Sequence, residues 1–184
     1  NIAIARTPGQ GHGPAQQVAN NMLSDLDPKW FVLVGIAGAF PNDDFSLGDV
    51  VLASRLVDFA VQAAIDGGTT EYATGGGPVH RDVQWNTVCK IGSEKPNVKI
   101  PESNADERMY GEDKHRVDTL KSIRRHFEAS RPPIYRDACL ATSNTLVKDA
   151  ALVAQFKQVA RHIELVEMEA GGVFLACHDH QKPM

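Results

Sequence analysis

Two glutamates that flank one methionine are the residues of this sequence best suited to chemistry. Glu167, Met168 and Glu169 follow a largely apolar run, residues 163–166, and precede two glycines and a second apolar run. Such a run, ending in acids and continuing into small and apolar residues, predicts a strand leading directly into a helix. Open α/β sheets bind ligands at the C-terminal ends of their strands, so both carboxylates are candidates for ligand binding. In the alternative, they are solvated acids that the dipole favours at a helix N-terminus.

Small residues follow a second apolar run. Residues 30–35 are nearly all apolar, which is typical of a strand buried on both faces of a parallel sheet. Gly35, Ile36, Ala37 and Gly38 lie at its end. Small residues at the tip of a strand let a ligand or another backbone segment approach closely. This strand end is therefore a second candidate for a ligand site.

Polar residues follow a third predicted strand, residues 134–141. Ser143 and Asn144 belong to the polar segment that comes directly after it. Their hydroxyl and amide groups suit hydrogen bonds to a ligand, and they equally suit capping of the helix predicted to begin near residue 148. Both interpretations stay open on the sequence alone.

A glycine-rich loop near the N-terminus has the layout of a phosphate-binding turn. Residues 2–5 predict a strand and residues 15–26 a helix, with three glycines in the loop between them. Glycines at a helix N-terminus let backbone N–H groups approach an anion. The loop lacks a Gly-Lys-Ser/Thr ending and a regular Gly-x-Gly-x-x-Gly pattern, and Pro14 suits a first helical turn. A tight turn is the favoured interpretation.

The remaining elements complete an alternation of strands and helices. They are a β-rich stretch over residues 47–59 with a hairpin or bent strand pair through 65, a glycine-rich loop over 66–80, a short helix over 81–89, an irregular loop over 91–111, a basic helix over 114–127 and a helix over 149–161. This order predicts an α/β fold in which helices flank a mixed central β-sheet.

Composition limits the class of protein. A length of 184 residues with 42% hydrophobic residues suits one globular domain, and a net charge of -4 argues against nucleic acid or an anionic membrane as partner. No apolar run reaches the length of a membrane span. Three widely separated cysteines predict free thiols in a reducing, cytoplasmic compartment. Cys177 and His178 would face different sides of a helix, so neither a metal site nor a cofactor is predicted.

Taken together, these segments resemble the nucleoside phosphorylase and nucleosidase superfamily, which includes purine nucleoside phosphorylases and methylthioadenosine/S-adenosylhomocysteine nucleosidases. Residues 166–170, Val-Glu-Met-Glu-Ala, resemble its ribose-binding motif. Residues 34–39, with Gly-Asp-Val at 48–50, resemble its glycine-containing strand end and the following strand, and residues 142–147 lie where the family has a base-binding segment. The resemblance implies a three-layer phosphorylase/hydrolase-like fold. It also implies a single nucleosidase-like domain over residues 1–184, which we expect to be incomplete at both ends.

The resemblance implies a role for each residue of the acidic segment. Glu169 would be the catalytic carboxylate that binds the ribose 2′-hydroxyl, more tightly as the sugar becomes oxocarbenium-like in the transition state. Met168 would lie against the sugar beside Val166, and Glu167 would support the site by hydrogen bonding. The other substrate-binding residues that the resemblance implies are Gly35, Ile36, Ala37, Gly38, Ser143 and Asn144.

The implied reaction is hydrolysis of the N-glycosidic bond of a purine, with adenine as the expected base. Ile36 and Ala37 stand where phosphorylases of the family have a hydroxyl, and neither side chain can donate to phosphate, so water is the expected nucleophile. A phosphate-dependent phosphorylase and a non-catalytic nucleotide-binding module are the alternatives. The family's general acid would follow the next strand, beyond Met184. The resemblance further implies a homo-oligomer, fusion to defence or signalling domains, and nucleotides such as ATP as substrates.

Overall fold

The computed structural model describes residues 1–40, 49–65, 69–79, 135–147 and 150–184. Within these ranges it contains three helices and five strands. In chain order they are α1 (His12–Leu26), β1 (Gly38–Ala39), β2 (Val50–Ile65), β3 (Thr69–Pro78), β4 (Tyr135–Thr142), α2 (Ala150–Val159), β5 (Ile163–Glu167) and α3 (Ala170–Asp179).

The five strands form one mixed sheet in the order β1-β5-β4-β2-β3. Strands β4 and β5 are parallel, joined through α2, whereas β1 pairs antiparallel with β5 and β2 pairs antiparallel with β3. Thr142 lies opposite Glu167 in the parallel pair, so the C-terminal ends of β4 and β5 meet at one edge of the sheet. The predicted α/β fold with a mixed central sheet and flanking helices is confirmed.

The chain forms two compact units. The first comprises Asn1–Pro41, Ala53–Val83 and Asp137–Met184, and it contains all the candidate site residues. The second comprises Asn42–Leu52 and Gln84–Arg136, of which the structure describes residues 49–52 and 135–136. The single-domain organisation expected from the sequence stays a prediction.

One cluster of buried side chains packs α2 against the sheet. Phe59 of β2 stacks on Phe156 of α2 with ring centroids 4.1 Å apart, and Tyr72 of β3 packs edge-on against both rings. Phe59 and Phe156 are fully buried. Each large side chain of this kind contributes about 1.5–3 kcal/mol through burial, so the cluster fixes α2 and the strand β5 that follows it.

A second cluster packs α1 against α3. Ala15, Ala19 and Leu23 recur every four residues and form one buried stripe of α1. They pack with residues of α3, among them Val173 and Ala176. The alanines let the two helices approach closely, which brings their N-terminal ends together beside the ends of β4 and β5.

Two predicted strands are wrong. Residues 2–5 and 30–35 are not in strands, and Ile2, Ile4 and Val34 are exposed by 92%, 92% and 88%. An apolar sequence forms a strand only when a neighbouring strand accepts its backbone hydrogen bonds. Neither segment pairs with a strand among the described residues, so a strong β-type sequence pattern was not sufficient.

The prediction of a glycine-rich loop over residues 66–80 is also wrong. Most of it is β3, which pairs with β2 along the register Ile65 to Arg55, with a bulge between Asp58 and Val61. Gly76 has φ +91 and faces Leu56, where a Cβ would overlap the backbone of β2. The glycines therefore allow a close approach inside the sheet, and pairing overrides their low β-propensity.

The other predictions divide between confirmed elements and residues outside the described ranges. The helix after the first glycine loop, the strand over residues 134–141, the helix over 149–161 and the strand-to-helix segment that follows are confirmed. The hairpin or bent strand pair predicted through 65 is wrong, because Val50–Ile65 is one strand whose antiparallel partner begins at Thr69. The helix over 81–89, the loop over 91–111 and the basic helix over 114–127 lie outside the described residues. Among the described helices, none combines the length and the apolar character needed to cross a membrane.

Candidate active site

Glu167 is the last residue of β5, and its side chain caps the helix that follows. The backbone N–H groups of Glu169 and Ala170 donate to Glu167 Oε2 at 2.7 and 2.8 Å. The first N–H groups of a helix have no partner inside the helix, and a carboxylate there also interacts favourably with the helix dipole. Glu167 Oε1 is buried and accepts no hydrogen bond from the part of the chain that the structure describes.

Glu169 interacts with a distant part of the chain. Its Oε1 accepts a hydrogen bond of 3.1 Å from the backbone N–H of Gly11, 158 positions earlier in the sequence. Gly11 precedes α1 with φ +95, a conformation that strongly favours glycine. The glycine loop is thus a turn that binds an anion at a helix N-terminus, and that anion is the carboxylate of Glu169. The interpretation of the two glutamates as solvated acids does not fit these contacts.

Asn144 and Ser143 make different contacts at the end of β4. Asn144 Oδ1 accepts a hydrogen bond of 3.0 Å from the backbone N–H of His12, which begins α1. Ser143 is buried, and its Oγ accepts a hydrogen bond of 3.1 Å from the N–H of Thr145. Asn144 therefore lies beside the loop that contacts Glu169, whereas Ser143 stabilises its own turn. Binding of a base by either residue stays a prediction.

Of the predicted site residues 35–38, only Gly38 is shown beside the acidic segment. Gly38 pairs with Val166 of β5, so it lies beside the acidic segment. Gly35, Ile36 and Ala37 precede β1 and are exposed. Their contact with a substrate stays a prediction. Met168 is half-buried between the two glutamates, at the turn from β5 into α3.

Sequence reasoning missed two residues at this edge of the sheet, His12 and Asp58. The ring of buried His12 lies with Nε2 2.8 Å from Thr142 Oγ1 and Nδ1 3.9 Å from Asp58 Oδ1. Thr142 Oγ1 also accepts a hydrogen bond of 3.2 Å from the N–H of Gly171 in α3. The position of His12 between Gly11 and Gly13, in a loop that resembles an anion-binding turn, was the one sequence feature that could have indicated a role for it. Asp58 lies within a long β-type run, where nothing local distinguishes it.

The site shows no feature of metal or thiol chemistry among the residues described. No group of three or more His, Cys, Asp or Glu side chains there is spaced to hold a metal ion. Cys177 is buried in α3, and burial raises the pKa of its thiol to about 11. A thiol with so high a pKa is a poor nucleophile and a poor ligand at neutral pH. The chemistry available is that of carboxylates and backbone amides.

The fold and the contacts of Glu167 and Glu169 define a class of protein. It is an α/β protein that carries two ordered carboxylates at the C-terminal ends of parallel strands. The sequence profile of the family described as the phosphorylase superfamily matches residues 1–184. The chain belongs to this superfamily, and the resemblance noted from the sequence is confirmed.

Curated relatives cover nearly the whole chain at low identity. The ATP nucleosidase Cap17 of Escherichia coli (strain KTE188) is 23% identical over 181 residues, which are 98% of this chain and 34% of that protein. A death domain-containing ATP nucleosidase of Amphimedon queenslandica is 20% identical over 189 residues, covering 96% of this chain and 31% of that protein. The chain therefore spans about a third of the length of these relatives.

Solved structures share the fold. A 5′-methylthioadenosine/S-adenosylhomocysteine nucleosidase from Colwellia psychrerythraea 34H, in complex with adenine, aligns with a TM-score of 0.62 at 18% identity, over 95% of this chain and 59% of that one. The futalosine hydrolase of Helicobacter pylori strain 26695 aligns with a TM-score of 0.60 at 13% identity, over 95% of this chain and 61% of that one. Likeness at this level of identity establishes the architecture.

Proposed function

We propose that this chain is the catalytic part of a nucleosidase that hydrolyses the N-glycosidic bond of an adenine-containing nucleoside or nucleotide to free base and sugar. One observation carries the proposal. Glu169 lies at the C-terminal edge of the sheet, and the N–H of Gly11 fixes its carboxylate there. A fixed carboxylate at this edge suits recognition of sugar hydroxyls.

Glu169 supplies the main interaction with the sugar. A carboxylate has about four acceptor positions, and the bond from Gly11 uses one of those on Glu169. The others accept hydrogen bonds from the ribose hydroxyls. As the bond to the base breaks, positive charge develops on the sugar, so these bonds to an anion strengthen toward the transition state. Binding that strengthens in this way lowers the barrier.

Glu167 contributes by holding the turn that carries Glu169. Its two hydrogen bonds to backbone N–H groups fix residues 168–170, so Glu169 needs no reorganisation when substrate binds. Met168 lies between the two and provides an apolar surface for the sugar.

Two further features support hydrolysis of an adenine compound. Ile36 and Ala37 have no hydroxyl to bind phosphate, so water is the nucleophile. The curated relatives are named ATP nucleosidases, and an aligned nucleosidase structure holds adenine. One relative is named for its death domain, which supports the proposal that this chain works within a larger protein. Assembly as a homo-oligomer is a further part of the proposal.

The test is release of free adenine by the intact protein from adenosine, methylthioadenosine, AMP and ATP, each with and without inorganic phosphate. We expect adenine without phosphate. Glu169→Gln should lower kcat by about a hundredfold or more, whereas Glu71→Gln, an exposed acid-to-amide change on β3, should leave kcat unchanged. Release only with phosphate would replace the proposal with a phosphorylase. Binding of these compounds without release would replace it with a non-catalytic module.

A further inference from the structure

His12 occupies a junction of four elements. The residue is 7% exposed, and its ring lies between Thr142 at the end of β4 and Asp58 of β2. Its own backbone begins α1. On the remaining side lies α3, where a Cβ added to Gly171 would overlap the ring of His12. His12 therefore links the start of α1 to β2, β4 and α3.

Polar groups lie on both sides of the ring, with Asp58 Oδ1 3.9 Å from Nδ1 and Thr142 Oγ1 2.8 Å from Nε2. Asp58 Oδ1, which also accepts from the N–H of Ala60 at 2.8 Å, is the charged group on the Nδ1 side of the ring. A carboxylate on that side favours the tautomer with the proton on Nδ1, so Nε2 accepts from the hydroxyl of Thr142. Thr142 Oγ1 in turn accepts from the N–H of Gly171 in α3.

An aspartate, a histidine and a threonine in a row also resemble the arrangement that activates a nucleophile. Burial argues against this role. Thr142 is 0% exposed, and its oxygen already lies within hydrogen-bond distance of His12 and Gly171. A reacting atom has no access to the hydroxyl, so the array has a structural or positioning role.

We propose that His12 is a positioning residue that sets the geometry of Glu169 and Asn144, and this inference rests on the proposed function. Its ring anchors the start of α1 to the end of β4, and the two N–H groups at that start donate to the site: Gly11 to Glu169 Oε1, and His12 itself to Asn144 Oδ1. A displacement of about 1 Å at such a point is enough to cost a large factor in rate.

Two substitutions of similar size separate the ring's contacts. In His12→Gln, the amide reaches the position of Nε2 and retains a partner for Thr142. In His12→Asn, the amide reaches only the position of Nδ1 and leaves the hydroxyl of Thr142 without its partner. We expect kcat for base release to stay within about threefold in the first variant and to fall about tenfold or more in the second, with KM changing less than kcat.

Thr142, the partner of the His12 ring, allows a second matched pair of substitutions. Thr142→Val removes the hydroxyl with little change of shape, and Thr142→Ser retains it. The valine variant should reproduce the loss seen in His12→Asn, and the serine variant should retain activity. Both changes remove the contact between His12 and Thr142, and Thr142→Val also removes the acceptor of the Gly171 N–H. Combining them should therefore lower kcat no further than Thr142→Val alone.

A readout that needs no substrate keeps the inference separate from the proposed function. Hydrogen exchange of the Gly11 and His12 amides, measured by NMR on the intact protein, should accelerate in His12→Asn and not in His12→Gln, while amides in the last turn of α1 stay unchanged. If the wild type releases no base, the proposed function fails, and this exchange still decides the role of His12. Equal exchange and equal kcat in both variants would overturn the inference.

Discussion

Glu167 and Glu169 lie two positions apart and make opposite kinds of contact. Glu167 accepts hydrogen bonds from the N–H groups two and three positions later, so it acts within its own turn. Glu169 bonds to the N–H of Gly11, far away in the sequence. The local contact defines where α3 begins, and the long-range contact defines where Glu169 points. Both carboxylates are thereby ordered before any ligand binds.

At the residue scale, removing the charge of Glu167 should weaken the helix start. Glu167→Gln should lower the free energy of unfolding by about 1 kcal/mol, because an amide oxygen caps less strongly than a carboxylate, and Glu167→Ala by about 2 kcal/mol. Urea unfolding followed by circular dichroism measures both. Asp25→Asn, an exposed acid-to-amide change on α1, is the control and should change stability by less than about 0.5 kcal/mol. Equal stability of all three variants would contradict the capping role.

The sequence allowed prediction of the acidic residues but not of their partners. Glu167 and Glu169 follow a recognisable strand-to-helix pattern, whereas Gly11, His12 and Asp58 belong to segments whose local patterns indicate only a turn and a strand. The contact between Gly11 and Glu169 joins residues 158 positions apart, and the contact between His12 and Thr142 joins residues 130 positions apart. Such contacts depend on how the elements pack, which no local pattern encodes.

At the scale of elements, the close approach of α1 and α3 depends on a missing side chain. Gly172 in the first turn of α3 faces the carbonyl of His12, and a Cβ there would overlap that backbone. Gly172→Ala should therefore destabilise the protein by about 3 kcal/mol, because neither helix backbone can move without breaking the cluster between them. Thermal unfolding monitored by circular dichroism measures the loss.

The matched control for this change is a glycine of α1. Gly13 lies in the first turn of that helix, and a Cβ there would have no neighbour within 4 Å. Gly13→Ala should raise stability by up to about 1 kcal/mol, because alanine loses less backbone entropy in a helix. If the two substitutions had the same effect, the close contact at Gly172 would not limit the packing of the helices.

Elements with a strong local pattern could be predicted from the sequence, whereas pairing between strands could not. The three described helices, β4 and β5, whose patterns are strong and local, were predicted from the sequence. The segments 2–5 and 30–35 have equally strong apolar patterns and form no strand, while the glycine-rich segment 69–78 does. A strand is a property of a pair, so its formation depends on a partner that its own sequence does not specify.

At the scale of the whole molecule, each core cluster contains one buried thiol. Cys139 belongs to the cluster around Phe59, and Cys177 to the cluster between α1 and α3. Burial raises the pKa of the Cys139 thiol to about 11, with Arg55 lowering it and Glu164 raising it to smaller extents. Burial alone raises that of Cys177 to about 11. Both thiols are protonated in the folded protein at neutral pH.

These pKa values predict a stability that falls in alkaline solution. The thiols ionise near their ordinary value of 9.0 in the unfolded chain and near 11 in the folded one, so their contribution is complete below about pH 9 and is lost as the pH rises toward 11. Urea midpoints between about pH 7 and pH 10 in a Cys89→Ser background should fall more steeply than in the same background with Cys139→Ala and Cys177→Ala. Equal slopes would show that the two thiols do not titrate with unfolding.

The exposed apolar residues near the N-terminus have a consequence for handling the protein. Ile2, Ile4, Val32, Val34 and Ile36 occupy alternate positions in two segments that belong to no helix or strand, and each is at least 75% exposed. Exposed apolar side chains grouped in this way favour association with apolar surface on other molecules. A net charge of only -4 gives weak repulsion between copies. The isolated chain is therefore prone to colloidal aggregation at high protein concentration, and sulfate salts, which strengthen apolar association, promote its precipitation.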